Sequence, residues 1–246
     1  MTEILVCIDD TDNLESKGTG HLAEILRHDI ETIYGGKTTR ITRHQLFVSD
    51  EIPYTSHNST MCFKGEIESC FIDEMILYAG ELLEKLSAEG SDPGLCVAVA
   101  DRINEKERLI RFGCDATCKV LNKESAFKLA ADAGIHLSEH GGTGGGVIGA
   151  LAGVGLRLAG NNGRFKGWID VKDSDRIITV EKLLRDYDID EIRDVSGEKI
   201  GPGDSISLEE RIKTVLLDGR CVLPVKKNRT ESSGWVNLSK DEIRKY

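Results

Sequence analysis

Apolar and polar positions along the chain follow two periods, one typical of strands and one typical of helices. Residues 3–8 form a continuous apolar run, which predicts a strand buried on both faces. Apolar residues then recur at helical spacing in HLAEILRHDIETIY (residues 21–34), and the following GGK ends that helix. The chain therefore opens with a strand, a polar loop and an amphipathic helix.

The same two patterns predict further elements as far as residue 160. Strands are expected at 38–48, 59–67, 95–101, 107–113 and 118–121, and helices at 70–88, 123–133 and 147–158. The last of these, VIGALAGVGLRL, contains glycines that each cost about 1 kcal/mol of helix propensity relative to alanine. We interpret them as positions of close packing against a sheet.

The composition changes near residue 160, where AGNNGRFKG is a plausible domain boundary. Beyond it lie the short strand candidates GWIDV, RIITV, KTVLL, RCVLPV and GWVNL, with the helix-like EKLLRDYD between them. We predict an α/β N-terminal domain with a mixed sheet and helices over residues 1–160, and a small β-rich domain over residues 161–246.

Composition narrows the class of protein. The chain has 246 residues, 39% hydrophobic, and a net charge of −10, which argues against a general nucleic-acid binder but leaves a local basic groove or a metal-held nucleotide open. No apolar stretch reaches the roughly 18 residues of a membrane span, and the N-terminus lacks the basic segment of a signal peptide. The seven cysteines are odd in number and scattered, so we expect free thiols and a cytoplasmic location. Because no apolar stretch is long enough to span a membrane, we expect no membrane partner.

Three carboxylates follow the first strand: Asp9, Asp10 and Asp12. Carboxylates this close repel one another, and Mg²⁺ removes that repulsion while taking oxygen ligands from one or two carboxylates and from phosphates. The carboxyl end of a strand is also where open α/β sheets bind ligands. The alternative is a turn and helix cap, in which the Asp side chains satisfy backbone N–H groups.

A second conspicuous loop, GGTGGG, precedes the small-residue helix. It consists of Gly141, Gly142, Thr143, Gly144, Gly145 and Gly146. Backbone amides without side chains in front of a helix favour an anion, although a Walker A lysine is missing and a plain flexible loop is the alternative. Together the two loops predict one site, with a metal held by the first and its phosphates by the second. His57 and Asn58, in IPYTSHNST, and His140 are further candidates for anion contact or for ordinary loop positions.

Four segments in one order resemble the archaeal tRNA-Ile agmatinylcytidine synthetase family. The family's DDTDS, with its threonine-containing loop before a helix, is matched by IDDTDNLESKGTGHLAE, and its IPYKTRGN by IPYTSHNS. NPGAV is matched by DPGLCV, and GRGxIGALAAxG by GGGVIGALAGVG. Gly145 stands where the family has one arginine, and His57 where it has another.

The resemblance implies an ATP- and Mg²⁺-binding, kinase-like domain that phosphorylates the cytosine of a tRNA anticodon. Carried over by motif, Asp9, Asp10 and Asp12 hold the metal, Asp9 and Asp12 are catalytic, and Thr19 stands at the family's autophosphorylated threonine. A simple helix cap is the other reading of Thr19. The sequence shows no CxxC pairs and no counterpart of the family's oligonucleotide-binding barrel and zinc ribbon, so we expect those RNA-binding modules to be absent.

Three functions remain open from the sequence. The first is a Mg²⁺- and ATP-dependent phosphotransferase or nucleotidyl-hydrolysing enzyme that acts on something other than whole tRNA, in which positioning and charge neutralisation dominate the chemistry. The candidate partners are a nucleotide and a tRNA or another small acceptor. The second is a nucleotide-sensing module without catalysis. The third is a tRNA-modification subunit that takes its RNA-binding modules from a partner chain.

Overall fold

The computed structural model describes residues 1–52, 58–171, 176–208, 211–228 and 234–246. The chain divides into two compact units, Met1–Ala159 and Gly160–Tyr246. The boundary expected from the sequence lay between residues 160 and 161. No helix in the described ranges is long and apolar enough to cross a membrane.

The first unit contains a sheet with helices on both faces. Its elements are β1 Thr2–Asp9, α1 Thr19–Thr32, β2 Lys37–Thr38, β3 Thr42–Gln45, β4 Ser59–Ile67, α2 Ile72–Leu86, β5 Gly94–Val99, α3 Lys106–Ala116, α4 Lys123–Ala133, β6 His136–Glu139 and α5 Val147–Ala159. The strand order is β6-β5-β1-β4-β3, with β2 also paired to β4, and all of these pairs are antiparallel. The expected α/β class is confirmed.

Strand β1 is the centre of this unit because both of its faces are buried. Ile4, Val6 and Ile8 pack under helices α1 and α2, whereas Leu5 and Cys7 point to the opposite side, toward α3, α4 and α5. A strand covered on both faces must be apolar at every position, which explains the continuous run in the sequence. Asp9 is its last residue, so the strand delivers this carboxylate to the edge of the core.

The glycines of α5 allow close approach, as the sequence predicted. A Cβ built on Gly153 would lie 2.3 Å from Cys7 Sγ of β1, and one on Gly155 would lie 2.1 Å from the Leu109 carbonyl oxygen of α3. Since any side chain at these positions would collide, the helix reaches both the sheet and α3 only because they are glycine.

Two of the strands expected in the first unit are not formed. Residues 107–113 were predicted as a strand, but they belong to α3, and residues 118–121 form no strand either. Leu109, Phe112 and Ala116 are buried, at spacings of three and four residues. That is the period of a helix facing the core, and the charged residues between them mimic strand alternation only over a short window.

The second unit is rich in short strands, as predicted. Its elements are β7 Arg164–Phe165, β8 Ile177–Thr179, α6 Val180–Asp186, β9 Glu191–Asp194, β10 Ser205–Ser207, β11 Val215–Leu217, β12 Arg220–Lys227, β13 Trp235–Asn237 and α7 Lys240–Ile243. The order β7-β11-β12-β13-β10-β8 holds these strands, and β9 pairs in parallel with β12. Isoleucine, leucine and valine side chains from them form a separate core.

Candidate functional site

A cavity of about 250 Å³ opens at the carboxyl end of β1. Its polar wall includes Asp9, Asp10, Asp12, Thr19, Asn58, Ser59, Asp92, Thr143, Gly145 and Gly146. Its apolar wall includes Leu46, Ile52, Ala116, Val120, Leu121 and Ile148. The structure therefore brings the two loops singled out in the sequence, which are about 130 residues apart, to one cavity. A polar end beside an apolar wall is the usual composition of a small-molecule site.

The carboxylates differ in their burial. Asp9 is 7% exposed, and burial raises the pKa of its carboxyl well above the ordinary value, with the charges of Asp10 and Asp12 raising it further. Burial is also the main reason that the pKa of Asp10 is raised to about 6, followed by the charges of Asp92 and Asp12. Asp10 has a positive φ of 51°, a conformation that Asp tolerates better than most residues. Negative charge is thus concentrated here at an energetic cost.

Thr19 is tied to this cluster by its hydroxyl. Its Oγ1 donates to Asp12 Oδ1 at 2.9 Å and accepts from the Thr11 amide at 3.3 Å. The reading of Thr19 as a simple helix cap is wrong, because Gly18 is the N-cap residue and Thr19 is the first residue of α1. The contact holds a buried threonine hydroxyl directly against a carboxylate.

The glycine loop is held by a carboxylate and a lysine. Asp92 Oδ2 accepts from Thr143 Oγ1 at 2.6 Å, and Asp92 Oδ1 accepts from the Thr143 amide. Lys123 Nζ donates to Glu139 Oε1 at 2.7 Å and also to the Thr143 carbonyl. These bonds fix the middle of the loop from two sides.

Three of the six amides of this loop are already bonded within the protein, whereas the sequence suggested an open cradle of amides. The amides of Gly144 and Gly146 donate to the carbonyls of Gly141 and Asp92, and that of Thr143 to the Asp92 carboxylate. Within the described part of the chain, the amides of Gly141, Gly142 and Gly145 have no acceptor, and of these three residues only Gly145 lines the cavity. An anion at this loop would therefore meet the Gly145 amide first.

Close backbone packing brings the start of α5 to the carboxylates. A Cβ on Gly149 would lie 1.8 Å from Asp9 Oδ2, and a Cβ on Gly146 would lie 3.0 Å from the Asp9 carbonyl oxygen. A Cβ on Gly94 would lie 2.3 Å from the Gly146 carbonyl carbon. The three glycines thus let the N-terminal end of α5 approach the end of β1 at backbone contact.

The remaining predicted residues are placed as follows. Gly141, Gly142 and Gly144 belong to the loop but do not line the cavity. The side-chain nitrogen Nδ2 of Asn58 donates to the Phe47 carbonyl at 2.7 Å. His57 lies outside the described residues. His140 turns toward α2, away from the cavity, where its Nδ1 lies 3.2 Å from Glu84 Oε1.

Four charged residues were not singled out from the sequence: Glu51, Asp92 and Lys119 line the cavity, and Arg43 lies near Asp12. Asp92 was noted only as the first residue of DPGLCV, one of the four resembling segments. Lys119 lines the cavity and pairs with Asp115 at 2.8 Å. Arg43 Nε donates to Ser59 Oγ at 2.9 Å; burial lowers the pKa of its guanidinium, and the charge of Asp12 opposes that shift. Strand alternation placed Arg43 on one face of β3, but no pattern indicated what that face meets.

The donor set fits Mg²⁺ on its chemistry. All the acidic groups at the cavity are hard oxygen donors, and Asp9 is almost fully buried without a cation beside it in the described part of the chain. No group of three or more His, Cys, Asp or Glu among the described residues is arranged to hold a metal by itself. The protein would therefore supply one or two carboxylates, and phosphates and water the rest.

Comparison with solved structures finds the same fold in a tRNA-modifying enzyme. No protein-family model and no curated protein sequence matches the chain. TiaS in complex with an isoleucine tRNA and ATP matches with a TM-score of 0.55 and 22% identity, over 76% of this chain and 44% of that one. Apo TiaS, an agmatidine synthetase for the same tRNA, matches with a TM-score of 0.52 and 25% identity, over 62% and 35%.

A third structure, a tRNA fluorescent labelling enzyme, matches with a TM-score of 0.54 and 23% identity, over 75% of this chain and 43% of that one. The chain thus spans less than half the length of these solved proteins. The resemblance expected from the sequence motifs is confirmed at the level of the fold: this chain is similar in structure to part of TiaS.

Proposed function

We propose that the chain is a Mg²⁺-dependent, ATP-binding phosphotransferase related to the tRNA agmatinylcytidine synthetases. The observation that supports this most is the cavity in which Asp9, Asp10 and Asp12 meet the glycine loop. Mg²⁺, when bound with ATP, neutralises the phosphate charge and polarises the transferring phosphoryl group. Asp9 and Asp12 would hold it.

The chain's own residues have separable roles in this proposal. Asp12 fixes the Thr19 hydroxyl at 2.9 Å, and a carboxylate at that distance would accept the hydroxyl proton as the oxygen bonds to the γ-phosphorus of ATP and the bond from that phosphorus to ADP breaks. Gly145 offers its amide to a phosphate oxygen, and the apolar wall excludes water from the base end of the nucleotide. TiaS has been crystallised with its tRNA and ATP, which supports ATP as the nucleotide.

The test is incubation with Mg²⁺ and ATP, followed by intact-mass analysis and calorimetry of Mg²⁺ with a non-hydrolysable ATP analogue. We expect saturable binding, and one added phosphate that is absent in Thr19→Val. Thr117→Val, which changes a half-buried threonine that does not line the cavity, is the control and should keep the adduct. Absence of nucleotide binding by the intact protein contradicts the proposal.

A nucleotide-sensing module is the second candidate, and Gly145 favours it. This residue replaces an arginine of the resembling family, and arginine is the better phosphate partner because it bonds in a bidentate manner. Binding of the ATP analogue without any phosphate transfer or ATP turnover would select the sensor.

A tRNA-modification subunit is the third candidate, supported by the tRNA in the TiaS complexes. The surplus of acidic residues lies entirely in the first unit, whereas the second has equal numbers of acidic and basic residues. RNA contact is therefore expected through the second unit or a partner chain. Capture of RNA with the tagged protein, followed by sequencing, tests it; enrichment of tRNA supports this candidate.

A further inference from the structure

A chain of four hydrogen-bonded side chains lies outside the nucleotide cavity. His136 and Ser138 of β6 and the following His140 are alternate residues, so they share one side of the strand, the side that faces α2. Ser138 Oγ lies 2.7 Å from His140 Nε2 and 2.9 Å from His136 Nε2. His140 Nδ1 lies 3.2 Å from Glu84 Oε1 on α2. None of the four lines the cavity.

The direction of each bond follows from the carboxylate at one end. An ionised carboxylate only accepts, so His140 Nδ1 carries the hydrogen that it donates to Glu84. In the neutral form of the imidazole, Nε2 is then an acceptor, and the Ser138 hydroxyl donates to it. His136 Nε2 donates to the remaining lone pair of Ser138 Oγ. Burial, and secondly the charge of the nearby His140, lowers the pKa of His136. His136 is therefore neutral and has the single hydrogen that this bond needs.

The surroundings hold the His140 ring in this position. A Cβ on Gly80 would lie 2.6 Å from His140 Cε1, so the ring packs against α2 only because residue 80 is glycine. Gly80 and Glu84 are one helical turn apart, and both touch the same imidazole. The His140 amide also donates to the Pro93 carbonyl at 2.9 Å, and its side chain is 12% exposed.

We propose that Ser138, His140 and Glu84 form a second reactive centre, in which Ser138 is a nucleophile that transfers the acyl group of small carboxylic esters to water. A serine bonded to a histidine whose other nitrogen is oriented by a carboxylate is the arrangement that activates serine in acyl transfer. Ser138 is half-buried on β6, the strand at one end of the strand order, and this reaction requires that a small ester reach its Oγ from solvent.

The reaction balances with the residues present. Ser138 Oγ bonds to the ester carbonyl carbon while its proton passes to His140 Nε2, and the C–O bond to the alcohol breaks as His140 returns that proton to the leaving oxygen. Water then attacks the acyl-serine with His140 as base, releasing the acid and restoring Ser138. Glu84 stabilises the imidazolium in both halves, and the hydrogen bond from His136 stabilises the oxygen of Ser138 as it loses its proton.

The test uses a fluorophosphonate probe on the intact protein, with peptide mass mapping of the adduct. Ser138 Oγ bonds to phosphorus and fluoride leaves, so the adduct identifies the nucleophile directly. We expect labelling of Ser138 in the wild type and none in Ser138→Ala. The labelling rate should fall about 100-fold in His140→Gln and at least about tenfold in Glu84→Gln, as for other histidine-activated serines. Ser125→Ala, which changes an exposed serine of α4, is the control and should label like the wild type.

Two results would overturn the proposal. One is a wild-type protein in which Ser138 reacts no faster than Ser125, a comparison that needs no variant and hence no assumption about folding. The other is an adduct at Ser138 that forms equally fast in folded His140→Gln, verified by circular dichroism. The four side chains would then serve only to join β6 to α2.

Discussion

Gly149→Ala offers a direct test of whether Asp9 holds the metal. Gly149 lies in the first turn of α5, and a Cβ there would lie 1.8 Å from Asp9 Oδ2, 2.5 Å from Asp9 Cγ and 3.0 Å from Leu46 Cδ1. Because the helix backbone is packed against the end of β1, the carboxylate is the part that must move. The substitution therefore shifts the Asp9 carboxylate without removing any ionisable group.

The magnitude follows from those distances. Contacts of real Cβ atoms below 3.0 Å are essentially absent, so Asp9 Oδ2 has to move by at least about 1.2 Å. Mg²⁺ requires oxygen ligands near 2.0–2.1 Å in octahedral geometry, and metal sites tolerate deviations of about 0.2 Å. Loss of this ligand should weaken Mg²⁺–nucleotide binding at least about tenfold, or about 1.4 kcal/mol. Overpacking costs about 1–3 kcal/mol of stability, and the helix propensity of alanine returns about 1 kcal/mol.

The assay is calorimetry of Mg²⁺ with a non-hydrolysable ATP analogue, together with thermal unfolding. Gly153→Ala is the matched control, because it lies one turn further along α5 and its Cβ would collide with Cys7 Sγ at 2.3 Å instead of with Asp9. We expect similar destabilisation in both variants and weakened binding only in Gly149→Ala. Equal Mg²⁺–nucleotide affinity in wild type and Gly149→Ala would refute the assignment of Asp9 as a ligand.

Two further predictions concern pH. In the metal-free protein the pKa of Asp10 is about 6, above its ordinary 3.8. The contribution of this group to the free energy of unfolding is therefore full below pH 3.8 and is lost as the pH rises to about 6. Asp92→Asn removes one of the charges that raise this pKa, so it should reduce that loss when unfolding is measured as a function of pH. Glu191 is the opposite case: burial alone would raise its pKa, but Lys199 and Arg193 lower it to about 2. The stabilisation by Glu191 is present above pH 4.5 and is lost toward pH 2. Glu191→Gln should lower the free energy of unfolding by about 2 kcal/mol at pH 7. Urea unfolding at a series of pH values should then show a smaller loss of stability between pH 4.5 and pH 2 than in the wild type.

The elements that the sequence predicted best are those whose period is unambiguous. Residues 59–67 and 123–133 were assigned at the bounds of β4 and α4, because the strand pattern of the first and the helical pattern of the second, which ends at Gly134, are local signals. Residues 107–113 were assigned wrongly. Seven residues do not distinguish a helix that faces the core from a half-buried strand, and only the packing of α3 on α5 separates them.

The sequence by itself determined that three carboxylates follow a buried strand and that a glycine loop precedes a small-residue helix, since both are features of contiguous residues. Only the tertiary structure decided that the loops share a cavity with Asp92, because β1 and β5 pair at Asp9 and Gly94. It also decided that His140 turns to α2, where Gly80 leaves room for its ring. Hydrophobic periodicity indicates which face of an element is buried, but it does not indicate which distant side chain that face meets. That pairing determines the charge, the pKa values and the reactivity of the groups at a site.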